Sequence, residues 1–411
     1  MIRRYLQGAA MLALFSLATT SGADEFHYNN ILIGDRASGM GGAYTAVSDD
    51  PGGMYYNPAG IAYSTGKNLS ASVNAYSVSN RTYKGVIGGQ DWTRTSSTLL
   101  PNFFGIIQPV GKLKLGFSYA VPDSNQEDQD QRFNRSDVFG GATHTVNFNN
   151  KNDTNLFGPS AAVQLSDSLS IGATLYVHKR STEAILNQSL VSNSGTSYTW
   201  VNGYTESDEW GLKPIVGVMW APMDKLSLGL TVSKTVVLSS DILTQTTISS
   251  DTATLPARTF DTYHDKRKYP YQVTAGVAFF PDSSLLLSGD VSYYSAYEYT
   301  FVNTLNKREA VLNGAVGAEY YVNKNWAVRG GLFTDFANTP AVVDGGTNQK
   351  EHIDMFGGSL TVSHFTKNTS ISCGGSYKFG NGKSQVLGGN NPIQDASSNN
   401  WTMFVSSSYS Y

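Results

Sequence analysis

The chain has 411 residues, of which 41 are Gly, 24 are Tyr and only 15% are charged, against roughly 25% charged residues in an average soluble domain. Its 29 basic and 32 acidic residues give a net charge of -3 without any basic run, which argues against nucleic acid as a partner. After the N-terminus there is no stretch of 18 or more apolar residues, so membrane-spanning helices are excluded.

Residues 1–23 are predicted to be a secretory signal peptide. Arg3 and Arg4 precede a short apolar stretch, and small residues precede a cut before Asp24. Cys373 is the single cysteine, so the exported chain is expected to have no internal disulfide.

Residues 67–411 alternate with a period of two, which predicts strands that have different solvents on their two faces. The segment SLSIGATLYVHKR places Leu, Ile, Ala, Leu and Val on one face and small or polar residues on the other. Lipid outside and a wet lumen inside explain both faces of a transmembrane β-barrel. A soluble β-sandwich is the alternative, but its second face would be apolar.

Short and long connections alternate along this region and predict about 14 antiparallel strands. The short turns are centred on Gly111, Asp167, Met223, Asp282, Asn323 and Lys367. The long polar connections are expected near 84–96, 122–153, 186–205, 243–266, 301–308, 338–350 and 381–399. In outer-membrane barrels, short turns face the periplasm and long loops face outward.

The last segment, WTMFVSSSYSY, places Tyr409 and Tyr411 on one face of a final strand. It resembles the C-terminal strand by which outer-membrane barrels are recognised for insertion. The barrel assembly machinery is therefore an expected partner.

Residues 24–66 are rich in Gly and Ala and lack the period of two. Backbone at membrane depth must be buried in protein or line a water-filled cavity. This segment is therefore predicted to lie inside the barrel as a hatch, or plug.

The hatch resembles that of the FadL type of outer-membrane transporters, which includes uptake channels for long-chain fatty acids and aromatic hydrocarbons. The residues that carry the resemblance are Gly39, Gly41, Gly42, Asp49, Asp50, Asn57, Pro58 and Ala59. The late segment VGAEYYVNKNWAVRGGLFTD is also similar to that family.

The resemblance implies a channel in the outer membrane of a Gram-negative bacterium that takes up hydrophobic small molecules passively. It also implies that the hatch rearranges and that the substrate leaves sideways into the outer-membrane lipid. Pro101, Pro122 and Pro159 are candidates for the strand irregularities that such an exit needs, because Pro cannot donate to the ladder. The alternative is that these prolines simply bound loops.

Five charged side chains are predicted by alternation to face the lumen. They are Arg180, Lys213, Asp290, Glu319 and Arg329. They either form a salt-bridge network that packs the hatch or supply a base that binds a substrate carboxylate. Asp49 and Asp50 are the expected hatch partners of Arg329.

Other functional signals are weak. GMGGAY lacks the preceding strand and following helix of a dinucleotide site, and the six histidines show no ligand spacing. No cofactor, metal or enzymatic activity is therefore predicted. Two alternatives remain, a structural or assembly factor with a barrel of this type and a general porin, whose open lumen the segment 24–66 argues against.

Overall fold

The computed structural model describes residues 26–138, 140–252, 256–387, 389 and 391–410. The predicted signal peptide and Tyr411 lie outside these residues. No helix within the described ranges is long and apolar enough to cross a bilayer.

Short helices occur near the N-terminus, and strands make up most of the remaining chain. Helix α1 spans Asp35–Gly39, helix α2 spans Gly53–Tyr56, and a 3₁₀ helix spans Pro58–Tyr63. The strands are β1 (Asn68–Ile87), β2 (Gln90–Val110), β3 (Leu113–Arg135), β4 (Ala142–Ser166), β5 (Leu169–Ser192), β6 (Tyr198–Met223), β7 (Leu226–Lys234), β8 (Val236–Ser250), β9 (Ala257–Tyr263), β10 (Tyr271–Phe279), β11 (Leu285–Tyr294), β12 (Tyr297–Phe301), β13 (Thr304–Arg308), β14 (Val311–Asn323), β15 (Trp326–Asp335), β16 (His352–Phe365), β17 (Thr369–Ser384) and β18 (Gln394–Ser410).

Antiparallel pairing closes these strands into a barrel. β1 pairs with β2 on one side and with β18 on the other. β7 and β8 both pair with β6 and count as one interrupted strand, as do β9 and β10. β12 and β13 form a separate hairpin. The wall traced by the described residues therefore has fourteen strands, which confirms the number predicted from the turns.

The alternation of side chains fixes which face of each strand meets lipid. On β5, Ile171 and Leu175 are 40% and 47% exposed on the outer surface, whereas Ser170 and Thr174 are buried inside. This is the orientation that the sequence predicts. A slip of one residue would reverse every side chain of the strand.

The six short turns lie where the sequence predicts them, but most of the long connections do not. The stretches 84–96 and 122–153 are largely paired strand, and 301–308 lies mostly in the β12–β13 hairpin. Only the stretch 338–350 has no strand among its described residues. The extended ladders carry polar residues on both faces, and the apolar alternation that marks the membrane therefore ends before the strands do.

The barrel wall is taller on one side than on the other. Strands β1 to β6 have 20–26 residues, whereas β10, β11 and β15 have only 9 or 10. Beyond the hatch, the tall side carries an inward-facing cluster that includes Tyr83, Trp92, Phe133 and Phe148. This cluster fills part of the lumen on the tall side.

Cys373 tests the register of β17. It is exposed on the outer face, opposite Val362 of β16 and Val405 of β18, which are also exposed. We expect a water-soluble maleimide to react slowly with Cys373 in the bilayer-embedded protein, because lipid covers this face. The measurement is the labelling rate followed by mass spectrometry.

The matched control for this experiment is a C373S protein that carries Ser194→Cys. Residue 194 is exposed in the turn between β5 and β6. Labelling of Cys373 as fast as labelling at position 194 would show that β17 is out of register by one residue.

Candidate functional site

Residues 26–66, the described part of the predicted hatch, lie inside the barrel. Met40, Tyr44, Met54 and Ile61 of the hatch are fully buried. Met40 and Tyr44 belong to a cluster with residues of β10 and β11, and Met54 and Ile61 to one with residues of β2 and β4. Apolar contacts with separate parts of the wall therefore hold the hatch in the lumen.

The glycine-rich part of the hatch lies directly against the wall. Gly41 and Gly42 have φ angles of 65° and 84°, which other residues rarely adopt. A Cβ added to Gly41 would lie 3.1 Å from the backbone nitrogen of Leu332, and one added to Gly39 would lie 2.7 Å from Oγ1 of Thr361. The sequence GMGG thus allows the hatch backbone to approach the wall closely.

The Asn57-Pro58-Ala59 segment attaches the hatch to β6. The Nδ2 group of Asn57 donates to the carbonyl of Thr45 at 2.8 Å and to that of Val218 at 3.1 Å. Its Oδ1 accepts from the Ala59 N–H at 3.1 Å and so caps the 3₁₀ helix that Pro58 begins. One side chain therefore joins two hatch turns to the wall.

Glycines on several strands make room for the hatch backbone. They include Gly172, Gly217, Gly229 and Gly331 on β5, β6, β7 and β15. A Cβ at Gly172 would overlap the backbone of Pro58, and the other three would likewise meet hatch atoms. We call these four residues the seat glycines.

A charged cluster joins helix α1 to strands β14 and β15. Arg36 Nη2 lies 2.7 Å from Glu319 Oε2, and Arg36 Nη1 lies 2.5 Å from Asp49 Oδ1. Arg329 Nε lies 2.8 Å from Glu319 Oε1, and Arg329 also donates to Ser363. Glu319 is fully buried and is shared by both guanidinium groups. Arg36, Asp49, Glu319 and Arg329 are called the Arg36 network below.

The expected pairing of Arg329 with Asp49 or Asp50 is not the one that the structure shows. Asp49 binds Arg36 instead, and Asp50 accepts a hydrogen bond of 2.8 Å from the Gly52 N–H. Burial raises the pKa of Asp50 to about 6. Burial alone would lower the pKa of Arg36, but the carboxylates beside it raise that pKa well above its usual value.

Arg36 is the charged residue of the candidate site that the sequence did not predict. Period-two alternation can assign strand residues to the lumen, but it says nothing about a segment without that period. A signal was nevertheless present, because Arg36 is the sole Lys or Arg between residues 24 and 66. A lone cation in a buried plug requires a carboxylate partner.

Asp290 holds a different part of the hatch. Its Oδ2 accepts hydrogen bonds from the backbone N–H groups of Tyr44 and Thr45, at 2.9 Å and 2.8 Å. A carboxylate on β11 thus fixes the turn that follows the glycine-rich stretch. Both N–H groups are buried, and without Asp290 they would lose this acceptor.

A cavity of about 210 Å³ lies between the hatch and the wall. Arg180, Lys213 and Asp290 line it, together with hatch residues such as Tyr55. The lining does not include Glu319 or Arg329, which lie in the Arg36 network. The five predicted lumen charges are therefore divided between a cavity and a contact between the hatch and the wall.

The two predicted bases of the cavity have different surroundings. Arg180 Nε donates to Asn152 Oδ1 at 2.8 Å. Lys213 Nζ lies 5.2 Å from the ring centroid of Tyr55 and has no carboxylate or hydrogen-bond partner among the described residues. Within the described chain, no group of three or more His, Cys, Asp or Glu is placed to hold a metal ion.

The segment 264–270 borders the cavity where β9 and β10 are interrupted. Tyr269 donates to Glu209 Oε1 at 2.7 Å, and His178 Nε2 lies 2.9 Å from the same oxygen. Arg267 stacks over the ring of Phe301 in the β12–β13 hairpin, 3.9 Å from its centroid. The segment is thus bound both to the wall and to the hairpin.

Strands β2 and β3 separate over part of their length. Their ladder extends from the turn to the pair Phe103–Ala120, and beyond it only the single pair Ser96–Glu127 joins the two strands. The pairing of β3 with β4 is irregular between Ala120 and Asp123, where Pro122 lacks an N–H. Residues 97–102 and 121–126 therefore border a gap in the wall, called the β2–β3 gap below.

The hatch covers the β2–β3 gap from inside. Ile31 donates its N–H to the carbonyl of Pro122 at 3.1 Å, and Asn30 donates to Asp123 at 3.2 Å. On the other edge, Asn102 Nδ2 donates to the carbonyl of Leu32 at 3.1 Å. Three consecutive hatch residues thus connect both edges of the gap.

Two of the three prolines singled out from the sequence lie beside this gap. Pro122 is on its β3 edge, and Pro101 is on its β2 edge, where it pairs with Val73 of β1. Pro159 pairs with Phe117 inside the β3–β4 ladder. All three lie within strands, so the alternative reading that they bound loops is wrong.

A family model described as outer membrane protein transport protein (OMPP1/FadL/TodX) matches residues 14–259, more than half of the chain. The chain belongs to this FadL/TodX family. It is therefore a β-barrel of the Gram-negative outer membrane, and its family is one of transport proteins. A comparison with curated protein sequences gave no match.

Solved structures of FadL/TodX proteins share this fold. A FadL homologue from Pseudomonas aeruginosa is 15% identical with a TM-score of 0.67, and 93% of this chain and 99% of that chain are covered. The toluene transporter TodX from P. putida is 12% identical with a TM-score of 0.64 and the same coverage. The monoaromatic hydrocarbon channel CymD is 15% identical with a TM-score of 0.61, again with that coverage.

The seat glycines make a testable prediction for this FadL/TodX protein. We expect Gly172→Val to displace the 3₁₀ helix from β5, because the new side chain overlaps the backbone of Pro58. Overpacking of this kind costs about 1–3 kcal/mol. The measurement is ion conductance in planar bilayers, which should rise as the hatch loosens.

Gly289→Val on β11 is the matched control for Gly172→Val. A Cβ at Gly289 would lie 3.8 Å from its nearest neighbouring atom and would point away from the hatch. Equal conductance of the two variants would show that the seat glycines do not position the hatch.

Proposed function

We propose that this protein is a passive channel through which hydrophobic small molecules cross the outer membrane, released sideways into the lipid after the hatch rearranges. The proposal rests on one hatch segment that lies between the cavity and the β2–β3 gap. Asn30, Ile31 and Leu32 line the cavity on one side and connect the edges of the β2–β3 gap on the other. Movement of these residues would join the cavity to the membrane.

The position of the gap suits an exit into lipid. Between the gap and the β2–β3 turn, Phe104 of β2 and Phe117 of β3 are 41% and 45% exposed on the outer face. Leu99, on the β2 edge of the gap, is 72% exposed. Apolar side chains thus lie on the outer face at one end of the gap and on its β2 edge. A hydrophobic molecule leaving there would remain in an apolar environment, which is the favourable direction of transfer.

Hatch rearrangement near the gap requires little energy compared with release of the whole hatch. The three residues Asn30–Leu32 are attached to the edges by three hydrogen bonds, two of them worth about 0.5–1.5 kcal/mol each and the one to the Asp123 carboxylate about 1.5–3 kcal/mol. The rest of the hatch is held by the Arg36 network, Asp290 and the seat glycines. We therefore propose a local shift of Asn30–Leu32 while the remaining hatch stays seated.

The substrate class is supported by the family and by the names of its structural relatives. TodX is described as a toluene transporter and CymD as a monoaromatic hydrocarbon channel. By this likeness, hydrocarbons or long-chain fatty acids are proposed substrates here. Outer-membrane lipid would receive the released molecule, and the barrel assembly machinery would insert the chain.

A disulfide across the β2–β3 gap tests the exit. In a C373S background, Leu99→Cys and Ser124→Cys occupy the positions that would pair if the register of Phe103–Ala120 and Ser96–Glu127 continued across the gap. We expect oxidation to reduce uptake of radiolabelled palmitate or toluene, because the closed gap blocks the exit, and dithiothreitol to restore it. The oxidised and reduced forms of one protein serve as mutual controls.

A second cysteine pair controls for the disulfide itself. Phe104→Cys with Tyr119→Cys joins β2 to β3 where they are already paired. Oxidation of this pair should leave uptake unchanged. If closing the gap also leaves uptake unchanged, the substrate leaves elsewhere, and the lateral exit is wrong although uptake itself stands.

A further inference from the structure

The cavity beside the hatch is small and lined by aromatic rings. Its volume of about 210 Å³ is below the range of roughly 300–1,000 Å³ that is typical of sites for drug-sized ligands. It is above the roughly 150 Å³ of an engineered cavity that holds benzene. One aromatic ring with a short substituent fits such a volume.

Tyrosines dominate the aromatic lining of this cavity. The described lining residues include seven tyrosines and neither Phe nor Trp. Tyr28 stacks on Tyr294 with centroids 4.0 Å apart, and Tyr55 meets Tyr56 edge-on at 5.2 Å. Aromatic rings of this kind attract aromatic ligands by stacking and by edge-on contact.

The lining also carries an excess of positive charge. Among its described residues, six are Lys or Arg and two are Asp, and the buried carboxylate of Glu209 lies behind the lining, 3.8 Å from Arg267 Nε. One of the acids, Asp290, already accepts two hatch N–H groups. A neutral hydrocarbon makes no use of this charge, whereas an anionic ligand is attracted by it.

Lys213 is a base of this cavity that has no carboxylate partner among the described residues. Its side chain is half-buried, and its ammonium group lies 5.2 Å from the ring centroid of Tyr55. The hydroxyl of Tyr55 likewise has no hydrogen-bond partner within the described chain. A cation withdrawn from water is stabilised when an anion binds beside it.

We propose that the channel takes up small aromatic acids, with the ring among the cavity tyrosines and the carboxylate bound by Lys213. The hydroxyl of Tyr55 donates a second hydrogen bond to the same carboxylate. This inference rests on the proposed uptake function and narrows its substrate class. Lys213 then acts as the residue that distinguishes an aromatic acid from a neutral hydrocarbon.

Binding to purified protein in detergent tests this assignment. The probes are phenylacetate and phenylacetamide, which have nearly the same shape but differ in charge. We expect phenylacetate to bind more tightly, and Lys213→Met to weaken it about 10- to 100-fold, the range for loss of a hydrogen bond to a charged group. Binding of phenylacetamide should be unaffected, and Lys213→Arg should retain most of the preference for phenylacetate.

The control is Lys324→Met, which removes one positive charge from the short turn between β14 and β15, outside the cavity. Heat-modifiable migration on gels establishes that each variant is a folded barrel. Equal affinity of the two probes for the unaltered protein, or unchanged phenylacetate affinity in Lys213→Met, would overturn the assignment.

Uptake by porin-deficient cells separates this inference from the function on which it rests. Protein-dependent uptake of phenylacetate, lost in Lys213→Met, supports both. If the protein accelerates uptake of toluene or palmitate but not of phenylacetate, the aromatic-acid inference is wrong and the proposed function stands. If none of the three probes enters in a protein-dependent way, both are wrong.

Discussion

Removal of residues 26–56 is expected to convert the closed barrel into an ion-conducting pore. This deletion takes away Met40, Tyr44 and Met54, which are fully buried in the lumen, together with the hatch side of the Arg36 network. Water would fill the freed volume, because the inner faces of the strands carry Ser, Thr and charged side chains. The measurement is single-channel conductance in planar bilayers.

The truncated barrel should still insert. The strands and their closing β1–β18 ladder are unchanged by the deletion. Uptake of hydrophobic molecules should fall at the same time, because Asn30–Leu32 and Tyr55 belong to the hatch that closes the lumen and also line the cavity. A truncated protein that is folded by heat-modifiable migration yet conducts no more than the full chain would contradict the hatch assignment and favour a structural or assembly role.

Glu319→Gln is expected to loosen the hatch, while the strands of the barrel wall stay paired. Glu319 is fully buried and neutralises both Arg36 and Arg329. Removal of one partner from a buried ion pair costs about 3–5 kcal/mol, because the remaining charges stay in a poorly solvated site. Asp49 still pairs with Arg36, but its side chain is 44% exposed and it does not replace Glu319 beside Arg329.

The measurements for this variant are protease cleavage within the hatch and ion conductance, both of which should increase. Glu298→Gln is the control, since Glu298 is exposed in the β12–β13 hairpin. The double variant Glu319→Gln with Arg329→Gln should recover part of the lost stability, because it removes one of the uncompensated cations. Cleavage unchanged in Glu319→Gln would show that the Arg36 network does not hold the hatch.

The sequence predicts the barrel well because two solvents act on each strand. Lipid on one face and a polar interior on the other select alternation such as that of Ile171 and Thr174, and the turns then count the strands. Above the bilayer, water lies on the outer face of the ladder. The outer parts of the long strands, such as that of β3, therefore show no alternation of apolar and polar residues. Their length is set by pairing with neighbours that are distant in sequence.

The hatch contacts are predictable in type but not in pairing. The glycines and Asn57-Pro58-Ala59 could be singled out because they need special backbone geometry or close approach. The partner of Arg329 could not, because Glu319 and Arg36 are brought together only when the hatch is placed against β14 and β15. The cavity and the β2–β3 gap likewise depend on that three-dimensional arrangement.

Uptake of labelled compounds by porin-deficient cells tests the central claim most directly. Cells with and without the protein would receive radiolabelled palmitate, toluene and phenylacetate, together with a polar solute such as sucrose. We predict that the protein accelerates entry of at least one of the first three and leaves sucrose entry unchanged, because the hatch closes the lumen to polar solutes. Faster entry of sucrose would indicate a general porin, and no change for any compound would contradict a role in uptake.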